Sequence, residues 1–211
     1  MLENTVLRFK RRRTDYLLNA TYRLFKGVSD RCLVLIALVL LSPLMLLVSC
    51  LVFWHLGSPL LFKQQRPGYG ERPFYLFKFR TMTNQRDSNG VLLPDAQRLT
   101  PFGRFLRSTS IDELPGLINI LRGEMSFIGP RPLLMQYLPL YSSEQILRQD
   151  VLPGFSGLSQ INGRNSLSWE EKFSLDVWYV NHQSFLLDLR IFLTTIWKVI
   201  KREGISAAGE A

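Results

Sequence analysis

Cysteine and histidine are almost missing: two of each in 211 residues. Cys32 and Cys50 both fall inside one apolar stretch, which fits neither a disulfide framework nor a zinc site. They read as small apolar filler in a chain whose catalytic part works in a reducing compartment. His55 and His182 stand far apart, and no P-loop, GxGxxG or HExxH occurs. Acid–base or nucleophilic work therefore falls to carboxylates. These are outnumbered, with 17 Asp and Glu against 26 Lys and Arg for a net charge of +9. Such an excess points to a polyanion: nucleic acid, anionic lipid or a phosphorylated substrate. Helix-turn-helix, RRM and zinc patterns are lacking, so no nucleic-acid partner is expected. Charged residues make up 20% and apolar ones 46%, which excludes a mostly disordered chain. The length suits one domain with its own core.

Between residues 32 and 62 there is no Asp, Glu, Lys or Arg. A bilayer crossing needs about 20 apolar residues, so this run is long enough to enter one. It is too long and starts too late for a cleaved signal peptide, and no small-residue cleavage site follows it. Both flanks are basic: Arg8 to Arg31 before it, and Lys63, Arg66, Arg72, Lys78 and Arg80 after it. The positive-inside rule puts both ends in the cytoplasm. Near the middle lies Ser42–Pro43. The proline removes one helix bond and crowds the Val39 carbonyl, which the Ser42 hydroxyl can satisfy. These features predict a helix that enters one leaflet, breaks at Ser42–Pro43 and returns to the same face. A kinked spanning helix is the alternative. Residues 1–31, basic with interleaved apolar side chains, read as an amphipathic membrane-surface segment.

The remainder predicts a mainly α fold with a few short strands. Leu61–Phe62 and Tyr75–Phe79 read as strands around turn signals at Pro67–Gly68 and Gly70. Thr100 and Pro101 start a helix to about Arg107, and a second runs from about Ile111 to Arg122 and stops at Gly123. Met125 to Pro132 is too rich in Pro and Gly for helix. Leu133–Tyr141 and Ser143–Gln149 read as short helices, and 153–163 as loop or short strand. Trp169–Val180 and Phe185–Lys201 are helices, the latter with an apolar surface broad enough for a core or a membrane interface. The organisation is thus 1–31 surface segment, 32–62 membrane helix, 63–205 catalytic domain and 206–211 tail.

The best carboxylates are adjacent, Asp112–Glu113 in STSIDELP (108–115). Ser110 to Glu113 matches the capping box, although Pro115 then lies deep in the helix. With either helix start, Asp112 sits near a positive helix end, where an ionised carboxylate can act as a nucleophile or bind Mg²⁺. Arg80, Arg107, Arg131 and Arg164 occur in turn-rich contexts, and guanidinium forks suit phosphate oxygens. Pro130 and Pro132 restrict where Arg131 can point.

With these residues in view, the sequence resembles the bacterial sugar transferases known as small monotopic phosphoglycosyl transferases. The resemblance runs from about Phe25 to Ser206. It is carried by FKQQRPG (62–68), YLFKFRTM (75–82), LRSTSIDELPGLINILRGEMSFIGPRPLL (106–134), PGFSGLSQINGRNSLSWEEKF (153–173) and SFLLDLRIF (184–192). The chain is most similar to the short members, such as the diacetylbacillosamine-phosphate transferase. The resemblance implies transfer of a sugar-1-phosphate from a UDP-sugar to undecaprenyl phosphate, with UMP released and Mg²⁺ required. It implies a re-entrant helix broken at Ser42–Pro43, interfacial amphipathic helices, and a catalytic domain facing the cytoplasm from the bacterial inner membrane. Asp112 would be the nucleophile, forming a phosphosugar–aspartate, and Glu113 its partner, both near the metal. Lys78, Arg107 and Arg131 would hold phosphates, with Arg164 a further phosphate candidate. Asp188 matches an active-site position, but equally fits a helix cap or salt bridge. A homodimer and downstream glycosyltransferases are compatible partners, and the pathway would be a surface polysaccharide or glycoprotein glycan. Competing readings are a phosphatase-like or nucleotidyl-transfer enzyme, a membrane-tethered nucleic-acid binder and an inactive assembly scaffold.

Overall fold

In the computed structural model, residues 2–163 and 166–201 are described, with side chains from residue 21 onward except that of residue 200. Arg164 and the tail 206–211 therefore lie outside the described residues, as do the side chains of most of the basic segment.

Helix α1 (Leu2–Leu56) joins the surface segment and the apolar run in one element. Against the break that the sequence predicts at Ser42–Pro43, the helix runs on through both residues, with Pro43 inside it. The reason is local. Pro43 has no amide to give the Val39 carbonyl, and the Ser42 hydroxyl donates to that same oxygen at 2.8 Å. One missing rung is bridged and the helix continues.

Two faces of α1 have opposite fates. Val34 is buried with Phe74, Leu76, Leu117, Ile120 and Met125. Val48 and Val52 are buried with Phe79 and Leu106. Leu33, Ile36, Val39, Leu40, Leu47, Phe53 and Trp54 are exposed. Both ends of its apolar part are tied to the globular part. The Ser126 hydroxyl donates to Asp30 at 2.6 Å. The Arg80 guanidinium donates to the Leu56, Gly57 and Ser58 carbonyls, which are orphaned where the helix stops.

After α1, strands β1 (Leu61–Pro67) and β2 (Pro73–Phe79) form an antiparallel hairpin, with Leu61 opposite Phe79 and Pro67 opposite Pro73. Both strands are longer than the sequence predicts, and β1 claims Leu61 and Phe62 from the apolar run. Polar Lys63 and Gln65 alternate with half-buried neighbours on an exposed strand, which hides it from an apolar scan. The open edge of β2 is closed by a side chain. Buried Asn119 accepts from the Phe77 amide at 3.1 Å and donates to the Tyr75 carbonyl at 2.7 Å.

Short α2 (Asp95–Arg98) precedes α3 (Pro101–Ser108), which starts as predicted: Thr100 caps the Gly103 amide at 3.0 Å and Pro101 follows. A 3₁₀ segment, Ile111–Gly116, then leads into α4 (Leu117–Leu121). The predicted capping box at Ser110–Glu113 does not form. Ser110 is left-handed (φ 57°, ψ 14°) and its side chain caps nothing. Pro115 would cost an α-helix a hydrogen bond, and the 3₁₀ turn accommodates it. A capping box does form at Ser168 with Glu171, which starts α6 (Trp169–His182).

Strand β3 (Ser126–Ile128) pairs in parallel with β4 (Gly154–Ser156). The segments Met135–Leu140 and Gln145–Gln149 between them are short 3₁₀ helices, and α5 (Leu158–Asn162) follows. The last helix, α7 (Phe185–Lys201), buries Ile191 against Ile128, Val151, Tyr179 and Val180. Its other side shows Leu186, Leu193 and Trp197 to solvent. The fold is thus mainly helical with two small sheets, as predicted.

Candidate active site

The acidic pair is delivered by a sharp turn. Ser110 in the left-handed region is sparsely populated for a residue with a Cβ, and such strain collects at functional sites. The turn packs the 3₁₀ segment on β2, so that Asp112 and Glu113 meet Lys78. The loop after β3 brings Arg131 to the same place. Lys78 Nζ donates to Glu113 Oε1 at 2.7 Å, and Arg131 Nη2 donates to the same oxygen at 2.7 Å.

The two carboxylates have different electrostatics. Burial favours the neutral form of Glu113, but Arg131 and Lys78 outweigh it and hold the carboxyl well below the usual range. Asp112 is 7% exposed. Burial, then the charge on Glu113, push it up to about 6, against the pull of Lys78, Arg107 and Arg131. Among the described residues no hydrogen bond to its carboxylate is made. It is therefore ionised at neutral pH, more basic than an ordinary aspartate, and uncommitted.

A cleft opens beside Glu113, with Asp112 behind it and not on the cleft wall. Its lining includes Arg66, Phe77, Lys78, Glu113, Arg131 and Phe155. Arg66 was not among the residues singled out from the sequence, although it lies in FKQQRPG. Its Nη1 donates to the Pro132 carbonyl at 3.2 Å and its Nη2 to Gln64 at 2.6 Å, while its Nε is buried without a partner. Burial and the neighbouring Arg131 charge bring its pKa down to about 10. Three cations on the cleft wall face one carboxylate, which leaves a surplus of positive charge suited to phosphate. Lys63 and Arg122 lie over the Phe77 ring at 5.7 and 5.0 Å from its centre and add to that field.

Other predicted residues are placed differently. Arg107 adjoins the pair electrostatically, and its Nε donates to Thr81 Oγ1 at 3.1 Å. Arg80 serves the end of α1 instead of the cleft. Asp188 is buried in a separate network: Tyr22 and Tyr179 donate to it at 2.7 Å each, and Lys26 pairs with it. That network ties α1 to α6 and α7, the salt-bridge option of the sequence reading.

Among the described residues no group of three or more Asp, Glu, His or Cys side chains gathers. The donor set at the pair is two carboxylates, with Glu113 Oε1 already shared by two cations. Mg²⁺ commonly binds one or two carboxylates, completing its shell with phosphate oxygens and water. Uncommitted Asp112 fits that mode.

Comparison with known proteins gives the family. The model of the family described as bacterial sugar transferase matches residues 21–202. The chain is 53% identical over 182 residues to an uncharacterized sugar transferase, EpsL, of Bacillus subtilis, covering 86% of this chain and 90% of that protein. It is 38% identical to the exopolysaccharide production protein ExoY of Sinorhizobium fredii, covering 84% and 88%. It is 36% identical to the UDP-glucose:undecaprenyl-phosphate glucose-1-phosphate transferase of Klebsiella pneumoniae, covering 87% of this chain and 42% of that longer enzyme. A match over nearly the whole described length, with relatives of more than 30% identity covered over most of their length, places this chain in the bacterial sugar transferase family.

Proposed function

We propose that the chain transfers a sugar-1-phosphate from a UDP-sugar to undecaprenyl phosphate, releasing UMP, at the cytoplasmic face of the bacterial inner membrane. The reading fits the first membrane step of exopolysaccharide assembly. One observation carries it: a buried Asp112 that accepts no hydrogen bond among the described residues, beside a carboxylate that two cations already hold.

In this reading an Asp112 oxygen attacks the β-phosphorus of the donor. A bond forms between aspartate and phosphorus as the bond to the bridging oxygen breaks, and UMP leaves with that oxygen. A phosphate oxygen of undecaprenyl phosphate then attacks the same phosphorus, yields the diphosphate-linked sugar and returns the carboxylate. Two in-line displacements at one phosphorus, first by Asp112 and then by the lipid phosphate, predict ping-pong kinetics. Arg131 and Lys78 stand where charge gathers on the phosphoryl oxygens, and Arg66 extends the cationic wall along the cleft. Glu113 fixes Lys78 and Arg131 in place. Mg²⁺, held by Asp112 and Glu113 with donor phosphate oxygens, would supply further neutralisation of phosphoryl charge.

The membrane reading rests on α1. Residues at both ends of its apolar part, Asp30 and Leu56, are tied to the same globular unit. Its outward face is apolar, and both flanks are basic. A helix held so at both ends lies along the globular unit, and its outward apolar face is suited to sink into one leaflet without crossing it, with α7 lying in the interface. This puts the cleft near the headgroup level, where the phosphate of the lipid acceptor sits.

The test is UMP release from a panel of UDP-sugars, with and without undecaprenyl phosphate. Lipid-dependent release in wild type and none in Asp112→Asn is expected. Near-normal turnover in that variant overturns the assignment.

A further inference from the structure

The loop that carries Arg131 is held at every residue. Gly129 donates its amide to the Ser156 carbonyl at 2.9 Å, and the Pro130 carbonyl accepts from the Gly154 amide at 2.9 Å. The Arg131 carbonyl accepts from Arg148 Nη2 at 2.8 Å, and the Pro132 carbonyl from Arg66 Nη1 at 3.2 Å. Two prolines already restrict this backbone, and these four bonds fix what freedom is left.

The bond from Arg148 comes from outside the cleft, and it is built at some cost. Arg148 is 3% exposed and Asp176 2%. Arg148 Nε and Nη2 both donate to Asp176 Oδ2, at 3.2 and 2.6 Å. Its Nη1 donates to Tyr141 at 2.9 Å, and its guanidinium carbon lies 5.7 and 5.5 Å from the Tyr141 and Phe173 ring centres. The second carboxylate oxygen of Asp176 accepts from Ser159 at 2.9 Å. A buried ion pair is a poor source of stability compared with apolar residues of the same volume. Both Asp176 oxygens and all three Arg148 nitrogens have partners, and one donor is turned out of the cluster, onto the main chain of Arg131. Neither residue lines the cleft.

We infer that Arg148 and Asp176 are a positioning pair. They set the aim of Arg131 at the phosphoryl group by holding its carbonyl, without touching substrate. The inference rests on the phosphotransfer reading for its purpose, and on the hydrogen bonds for its geometry. Lysine cannot replace arginine here, because one ammonium on a single stem does not serve Asp176 and the Arg131 carbonyl in the same fork.

Removing Arg148 alone strands a buried aspartate, so the informative variant is Arg148→Met with Asp176→Leu, which keeps volume and removes both charges. Inorganic pyrophosphate affinity, measured by calorimetry on detergent-solubilised full chain, reads the site without turnover. A thermal melt accompanies each variant. The cycle comprises wild type, Arg131→Ala, the Arg148→Met/Asp176→Leu variant, and all three substitutions together. Loss of one charge-assisted contact is expected to weaken binding about 10- to 100-fold in Arg131→Ala. The pair variant is expected to melt close to wild type and to weaken binding at least 10-fold. The triple variant is expected to bind no worse than Arg131→Ala alone, because the pair acts only through that side chain. Losses that multiply, or a pair variant that binds like wild type, overturn the inference. Arg148→Lys is expected to fold and still fail to restore affinity; full rescue also overturns it. These outcomes are separable from the function proposed above: a wild type that binds pyrophosphate but releases no UMP from any UDP-sugar loses the transferase reading, and the cycle still decides the pair.

Discussion

At Asp112 burial and a neighbouring negative charge act together, and both favour the proton. Its folded-state pKa of about 6 lies above the ordinary aspartate value, so protonation favours the folded form. Below the ordinary value the two states are equally protonated and nothing is lost. As pH rises through about 6 the folded protein bears the full cost of the charge, of the order of 1–3 kcal/mol. Asp112→Asn is thus expected to raise the melting temperature at pH 8 in chelator, with the gain shrinking toward zero by pH 4. A variant melting below wild type at pH 8 contradicts this. Carboxyl NMR of the chelated protein should show Asp112 titrating near pH 6 and Glu113 staying ionised far into acid. Glu113→Gln removes the like charge and frees Lys78 and Arg131 to act on Asp112, so its midpoint should fall. An unmoved or higher midpoint would deny the coupling.

Elements show why part of the site was legible in sequence and part was not. Thr100–Pro101 marks the start of α3 because cap and proline are neighbours along the chain. Asp112, Glu113, Lys78 and Arg131 stood out through ordered motifs. Ser110 was misread because S-x-x-E describes a local option, and the strained turn onto β2 is a tertiary outcome. In sequence Arg66 reads only as part of the basic flank, because strand alternation on an exposed hairpin looks like ordinary surface, and its place beside Arg131 is a tertiary outcome. The Arg148–Asp176 pair joins residues 28 apart in sequence, with no motif to announce it. Two substitutions test how elements hold the site. Gly103 in α3 lies against the Thr81 backbone, with no room for a Cβ. Gly103→Ala should push α3 from the end of β2, shift Arg107 off Thr81 and cost about 1–3 kcal/mol in chemical unfolding. Arg80→Met should leave the carbonyls at the end of α1 unsatisfied, at about 1–3 kcal/mol, and speed proteolysis near Gly57. Wild-type stability in either would show that these contacts do not matter.

On the scale of the whole molecule, the proposed reaction needs a soluble nucleotide donor and a lipid phosphate to reach one buried carboxylate, and α1 determines where that meeting occurs. Cysteine introduced at Val28 or Ser58, with Cys32 and Cys50 replaced by serine, should react with a membrane-impermeant maleimide in inverted vesicles and not in intact cells. Labelling of either position from outside would mean that the helix crosses. The covalent step itself is the most direct test. Incubated with donor alone and digested with trypsin, the active enzyme should yield a peptide spanning residues 108–122 that carries the mass of one sugar phosphate on Asp112. UMP release that proceeds with no adduct on that peptide would contradict the account.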